Sequence, residues 1–134
     1  VMKGYGKILT YPYYQDTIGD INAGMLVTRN TIKKKPKIVI ELVKYHILST
    51  KYLLKNKDKW LDKAASFGTA LNVLKESSKN IALTWLINEQ FVKQAKALGK
   101  RMLELGMITK EPDYNKLFDL SFVQKALKQI NENQ

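Results

Sequence analysis

The sequence contains no cysteine. Disulfides, zinc–thiolate sites, iron–sulfur clusters and cysteine nucleophiles are therefore excluded, although the compartment is not fixed by this. There is a single histidine, His46, whereas metal sites and acid–base catalysis commonly lean on histidine with partners. Arginine occurs only at Arg29 and Arg101, and nucleic-acid readers favour its fork for bidentate contacts. No apolar run reaches the roughly 20 residues that a membrane span needs. No leader pattern is recognisable, and the opening Val1-Met2-Lys3-Gly4 reads as mid-chain, as expected of a piece of a longer protein. Gly4-Tyr5-Gly6-Lys7 lacks the remainder of a phosphate-cradling loop and reads better as a helix end leading into a strand.

What is present suits a globular body. The 134 residues are 45% hydrophobic and 26% charged, enough for one domain or one compact part of a larger one. The formal net charge is +11 and it is uneven. Residues 29–63 hold 11 basic and 3 acidic residues, whereas residues 88–134 hold 8 and 6. Such a concentration is either a solvated lysine face or a patch that steers anions, nucleic acid or an anionic surface. The run Lys33-Lys34-Lys35-Pro36-Lys37 carries the same two readings.

Two short strands are expected near the N-terminus, at residues 7–11 and 24–28, with a polar loop between them. From residue 30 the pattern is helical. Asn30 or Thr31 can cap a short turn, and Pro36 suits the first position of a long helix reaching about Leu54. Val39, Val43, Ile47 and Leu54 follow helical spacing, while Ile38, Leu42, Tyr45 and Tyr52 widen the stripe. So wide an apolar face implies burial on more than one side.

A turn from Asp58 to Gly68 and a helix capped by Thr69 should follow. Residues 81–87 suit an irregular, extended link. Asn88 is expected to cap a helix with Phe91, Ala95, Leu98, Met102 and Leu105 on one face, stopped by Gly106 in a left-handed conformation. After a polar link with Pro112, Asp119 should cap a last helix carrying Phe122, Ala126, Leu127 and Ile130; the tail beyond it should fray.

No chemistry-bearing constellation stands out. Asp58, Glu89 and Asp119 are scattered at helix starts, where the dipole favours them, and do not pair for acid–base work. His46 is expected to be structural among apolar neighbours on the long helix. The tyrosines Tyr5, Tyr11, Tyr13 and Tyr14 either line a cleft or cover a core edge.

The order of features resembles the C-terminal half of the solute-binding proteins of the nitrate/sulfonate/taurine class of ABC importers, grouped with the thiamine-pyrimidine precursor proteins. Lys3-Gly4-Tyr5-Gly6-Lys7-Ile8-Leu9-Thr10 resembles the family's helix end, glycine turn and strand. Gly24-Met25-Leu26-Val27-Thr28-Arg29 resembles its next strand, and Ile32-Lys33-Lys34-Lys35-Pro36 its turn into a long helix. Leu105-Gly106-Met107-Ile108 and Asp119-Leu120-Ser121-Phe122-Val123-Gln124-Lys125-Ala126-Leu127 are similar to its last two helix signatures. The segment Leu83-Thr84-Trp85-Leu86 departs from any pattern of the family.

The resemblance implies a mainly α chain with a small β component, the C-terminal portion of a two-lobed α/β periplasmic-binding-protein fold of type II. Residues 1–134 would form one compact unit: a strand–loop–strand remnant of the ligand-side lobe at 1–28 and a helical portion at 29–134. The implied function is capture of a small solute outside the cytoplasmic membrane, in the periplasm or lipid-anchored at its outer face, and delivery to the permease. No catalysis, cofactor or metal is implied. Asn22 and Gly24 occupy the family's ligand-contact place, with Tyr13 and Tyr14 as further candidates. The expected partners are the solute, the permease and an N-terminal lobe, with self-association through apolar surface that this lobe would cover. Two other functions compete. A basic helical nucleic-acid-binding module is motivated by residues 29–63, but few arginines and no interleaving of aromatic and basic residues weigh against it. An enzyme of the pyrimidine-synthesis group is poorly served by one histidine.

Overall fold

The computed structural model describes residues 4–7, 9 and 23–132. These are mainly helical, and no strand occurs among them. The helices are α1 (Arg29–Lys34), α2 (Pro36–Lys55), α3 (Lys57–Ala65), α4 (Leu71–Ser77), α5 (Glu89–Glu104), α6 (Tyr114–Leu117) and α7 (Ser121–Glu132). A single 3₁₀ turn at Ser78–Asn80 continues α4.

Two expectations near the N-terminus fare differently. The strand expected at 24–28 is not formed: these residues precede α1 without regular structure and have no ladder partner among the described residues. An isolated extended segment leaves its backbone groups to water, so residues 24–28 gain nothing from pairing. The strand at 7–11 and the loop after it fall largely outside the described residues.

Helix boundaries follow local chemistry. The cap of α1 is Thr28, not Asn30 or Thr31: its Oγ1 accepts the Thr31 N–H at 3.2 Å. Pro36 opens α2, where its missing N–H costs nothing. At the far end, Asn56 donates its side-chain N–H to the Tyr52 carbonyl at 2.8 Å, satisfying one last-turn acceptor. Gly68, with φ +104°, turns the chain after α3. Helix α4 starts after Ala70 without a side-chain cap, so Thr69 lies one residue too early for its hydroxyl to serve.

Asn88 caps α5 as the sequence indicates, accepting the Phe91 N–H at 2.8 Å. Its other end is a Schellman stop. Gly106 has φ +69°, its N–H bonds the Leu103 carbonyl at 3.0 Å, and the Met107 N–H bonds the Met102 carbonyl at 2.9 Å. Asp119 accepts the Ser121 N–H at 3.0 Å to start α7. Helix α7 runs through Asn131 and Glu132, which were expected to fray.

The core lies between α2 and α7. Val39, Val43 and Ile47 meet Phe122, Ala126 and Ile130, all buried, with Thr50 extending the α2 row. Leu54, expected in this row, is exposed in the last turn. Burying a side chain such as Ile47 is worth about 1.5–3 kcal/mol, so this six-residue cluster is the main stabilising contact. Trp85, from the irregular 81–87 link, packs against its edge.

Helix α5 packs through rings instead. Phe91 meets Phe118 edge to face at 5.7 Å, and Tyr114 stacks on Phe118 at 6.5 Å. Its apolar face is half-buried, and Leu105 is exposed.

Candidate docking face on the long helix

Helix α2 has 20 residues and so extends for about 30 Å. Residues 39, 43, 47 and 50 share the side that meets α7. At 100° per residue, positions 38, 42, 45, 49 and 52 share the opposite side. Their side chains are open to solvent: Ile38 51%, Leu42 52%, Tyr45 60% and Tyr52 49%, with Ser49 also exposed. The burial on more than one side that the breadth of the stripe implied is not seen among the described residues: one side is buried and the other bare. Their spacing of four, three, four and three residues is that of a helix–helix seam, a sign that the stripe alone carried.

An open hollow of about 440 Å³ lies along this side, lined by Leu48, Ser49, Tyr52 and Leu53. A second, of about 590 Å³, is lined among others by Ile87, Asn88, Val92, Lys96 and Leu120. Both face solvent and neither gathers a catalytic set.

Charge borders the bare side on one edge. Lys37, Lys44 and Lys51 recur every seven residues, and Lys55 follows one turn later. Lys44 is paired with Glu41 at 2.6 Å. Lys51 lies over the Trp85 ring at 5.6 Å. Among the described residues, no ion pair reaches Lys37, Lys51 or Lys55. From α3, Lys59 donates to the Tyr52 hydroxyl at 3.0 Å, and this hydrogen bond raises its pKa above the usual lysine value.

Of the sequence-derived ligand residues, only Gly24 is among those described. Gly24 is exposed, and a Cβ there would meet nothing. Asn22, Tyr13 and Tyr14 lie outside the described residues. His46 is exposed on α2, at an angular position between the buried row and the bare seam. No group of three or more histidine, aspartate or glutamate side chains able to hold a metal occurs among the described residues. No helix among them is long and apolar enough to cross a membrane.

The structure does place lysines beside aromatic rings, each pair lying within seven residues in the sequence. Lys44 lies over Tyr45 at 5.3 Å, Lys59 over Tyr52 at 5.6 Å and Lys63 over Phe67 at 5.2 Å. No protein-family model matches the chain, and no curated protein or solved structure matches it either.

Proposed function

We propose that this chain is the helical, non-catalytic C-terminal part of an extracytoplasmic solute receptor, working with an N-terminal lobe and a permease. The supporting observation is the two-sided α2. One side is sealed by α7, and the other presents an apolar seam of the breadth an adjoining lobe would cover. The motif order of the resembled importers supports the same reading: the proline-led turn, the Gly106 stop and the Asp119 start fall at the start of α2, the end of α5 and the start of α7. In this reading Asn22 and Gly24 contact the solute, with Tyr13 and Tyr14 beside them. The type II receptor fold and the extracytoplasmic location belong to the same proposal.

Titration of the natural gene product with nitrate, an alkanesulfonate and a pyrimidine precursor tests it. Saturable binding of one, weakened by Asn22→Ala, is expected. Binding of none at millimolar concentration contradicts it.

The nucleic-acid reading gains one observation, the lysine–aromatic pairs on α2 and α3. Base stacking needs open rings, and Tyr45, Tyr52 and Phe67 are exposed; the scarcity of arginine still weighs against that reading. Salt-sensitive binding of single-stranded DNA at low ionic strength would restore it.

A further inference from the structure

We infer that the bare side of α2 docks an acidic amphipathic helix, and that this helix belongs to the adjoining lobe; the second half rests on the receptor reading above. Three observations converge on this occupant. The seam Ile38–Leu42–Tyr45–Ser49–Tyr52 has the alternating spacing by which one helix receives another. It spans 15 residues, a rise of about 21 Å, which one helix of ordinary length covers. The small side chain of Ser49 interrupts it beside the hollow lined by Leu48, Tyr52 and Leu53, leaving room for a large apolar side chain from the partner.

Charge then selects the partner's polar face. Lys37 and Lys55 lie on one flank of the seam, and among the described residues no carboxylate pairs with them; Glu41, on the same flank, is taken by Lys44. Carboxylates on the docked helix would complete them, which favours encounter and fixes its direction. A second copy brings the same lysines to the same edge and the chain's own net charge of +11, so like charges oppose self-pairing. A flat anionic membrane meets both edges of a helix, whereas the opposite edge here carries His46 and Leu53.

The test uses the full chain and two labelled synthetic peptides of about 18 residues, enough to span the seam. Both carry leucines at the seam positions; one has glutamates beside them and the other lysines. The glutamate peptide should bind at least about tenfold more tightly at low salt, with the difference shrinking as salt rises. Leu42→Asp and Tyr45→Asp, both at exposed positions, should abolish binding while leaving the circular dichroism spectrum unchanged. Equal binding of the two peptides, binding that survives Leu42→Asp, or a dimer in sedimentation that Leu42→Asp dissociates would overturn the inference. These readouts are independent of solute. Solute binding by a receptor-length natural product, together with no discrimination between the peptides by this chain, overturns the inference alone. A solute-blind natural product, together with discrimination by this chain, overturns the receptor reading alone.

Discussion

Tyr114 lies across Gly99, leaving no room for a side chain there. A Cβ built on Gly99 falls onto the Tyr114 hydroxyl oxygen and stands 3.2 Å from its ζ carbon. The hydroxyl donates to the Lys96 carbonyl at 3.5 Å, one turn earlier on α5, and the ring stacks on Phe118. The polar link through Pro112 is thereby folded back onto the middle of α5. Glycine in a helix interior costs about 1 kcal/mol relative to alanine, and here that cost buries Gly99 under a ring.

Gly99→Ala should therefore destabilise the chain despite its better helix propensity, because Tyr114 must swing away. Combined with Tyr114→Phe, which removes the colliding oxygen, the loss should shrink. Urea denaturation of the two single variants and the double variant reads the coupling.

Tyr114 also carries a pH signature. Burial, aided by Glu111, raises its pKa above the ordinary tyrosine value of 10.0. The folded chain then holds this proton more tightly than the unfolded chain does. Its contribution is fully present below the unfolded pKa and is lost as pH rises through the folded one. Stability should fall as the pH rises above 10, and the fall should be smaller in Tyr114→Phe. Denaturation midpoints of both proteins from neutral pH upward check this.

The two sides of α2 should respond differently to truncation. Ile47→Ala removes a fully buried side chain and should cost about 2–5 kcal/mol. Leu42→Ala, on the bare side, should change stability by no more than about 0.5 kcal/mol. Equal losses would mean that the bare side is covered within the chain itself.

The ends of α5 give a further pair. Asn88→Ala removes the acceptor of the Phe91 N–H and should cost about 1 kcal/mol. Gly106→Ala forces a Cβ into φ +69° and should cost about 1–2 kcal/mol. Thermal unfolding followed at 222 nm measures both.

These elements show what a linear reading carries. Pro36, Asn88, Gly106 and Asp119 act through backbone groups within a few residues, so each was legible. Thr69 failed because its hydroxyl lies one residue outside the cap position. The breadth of the stripe on α2 implied burial on more than one side, but only the side that α7 takes is buried, and nothing local says which side that is, since it depends on a helix some 70 residues away. Gly99 offered only the weak signal of a glycine inside a helical pattern; its partner, Tyr114, is brought over it by the Pro112 link. The candidate site was least legible. The seam and the seven-residue lysine interval stand in the sequence, but their exposure does not, and Asn22, Tyr13 and Tyr14 lie outside the described residues.

The intact mass of the natural gene product, with the coding sequence upstream of Val1, tests the central claim most directly. The account predicts a product well over twice the 15.4 kDa of this chain, with a secretory or lipoprotein leader and a strand–helix lobe ahead of Val1. A natural product of 15.4 kDa, translated from a start at or beside Val1, would contradict it.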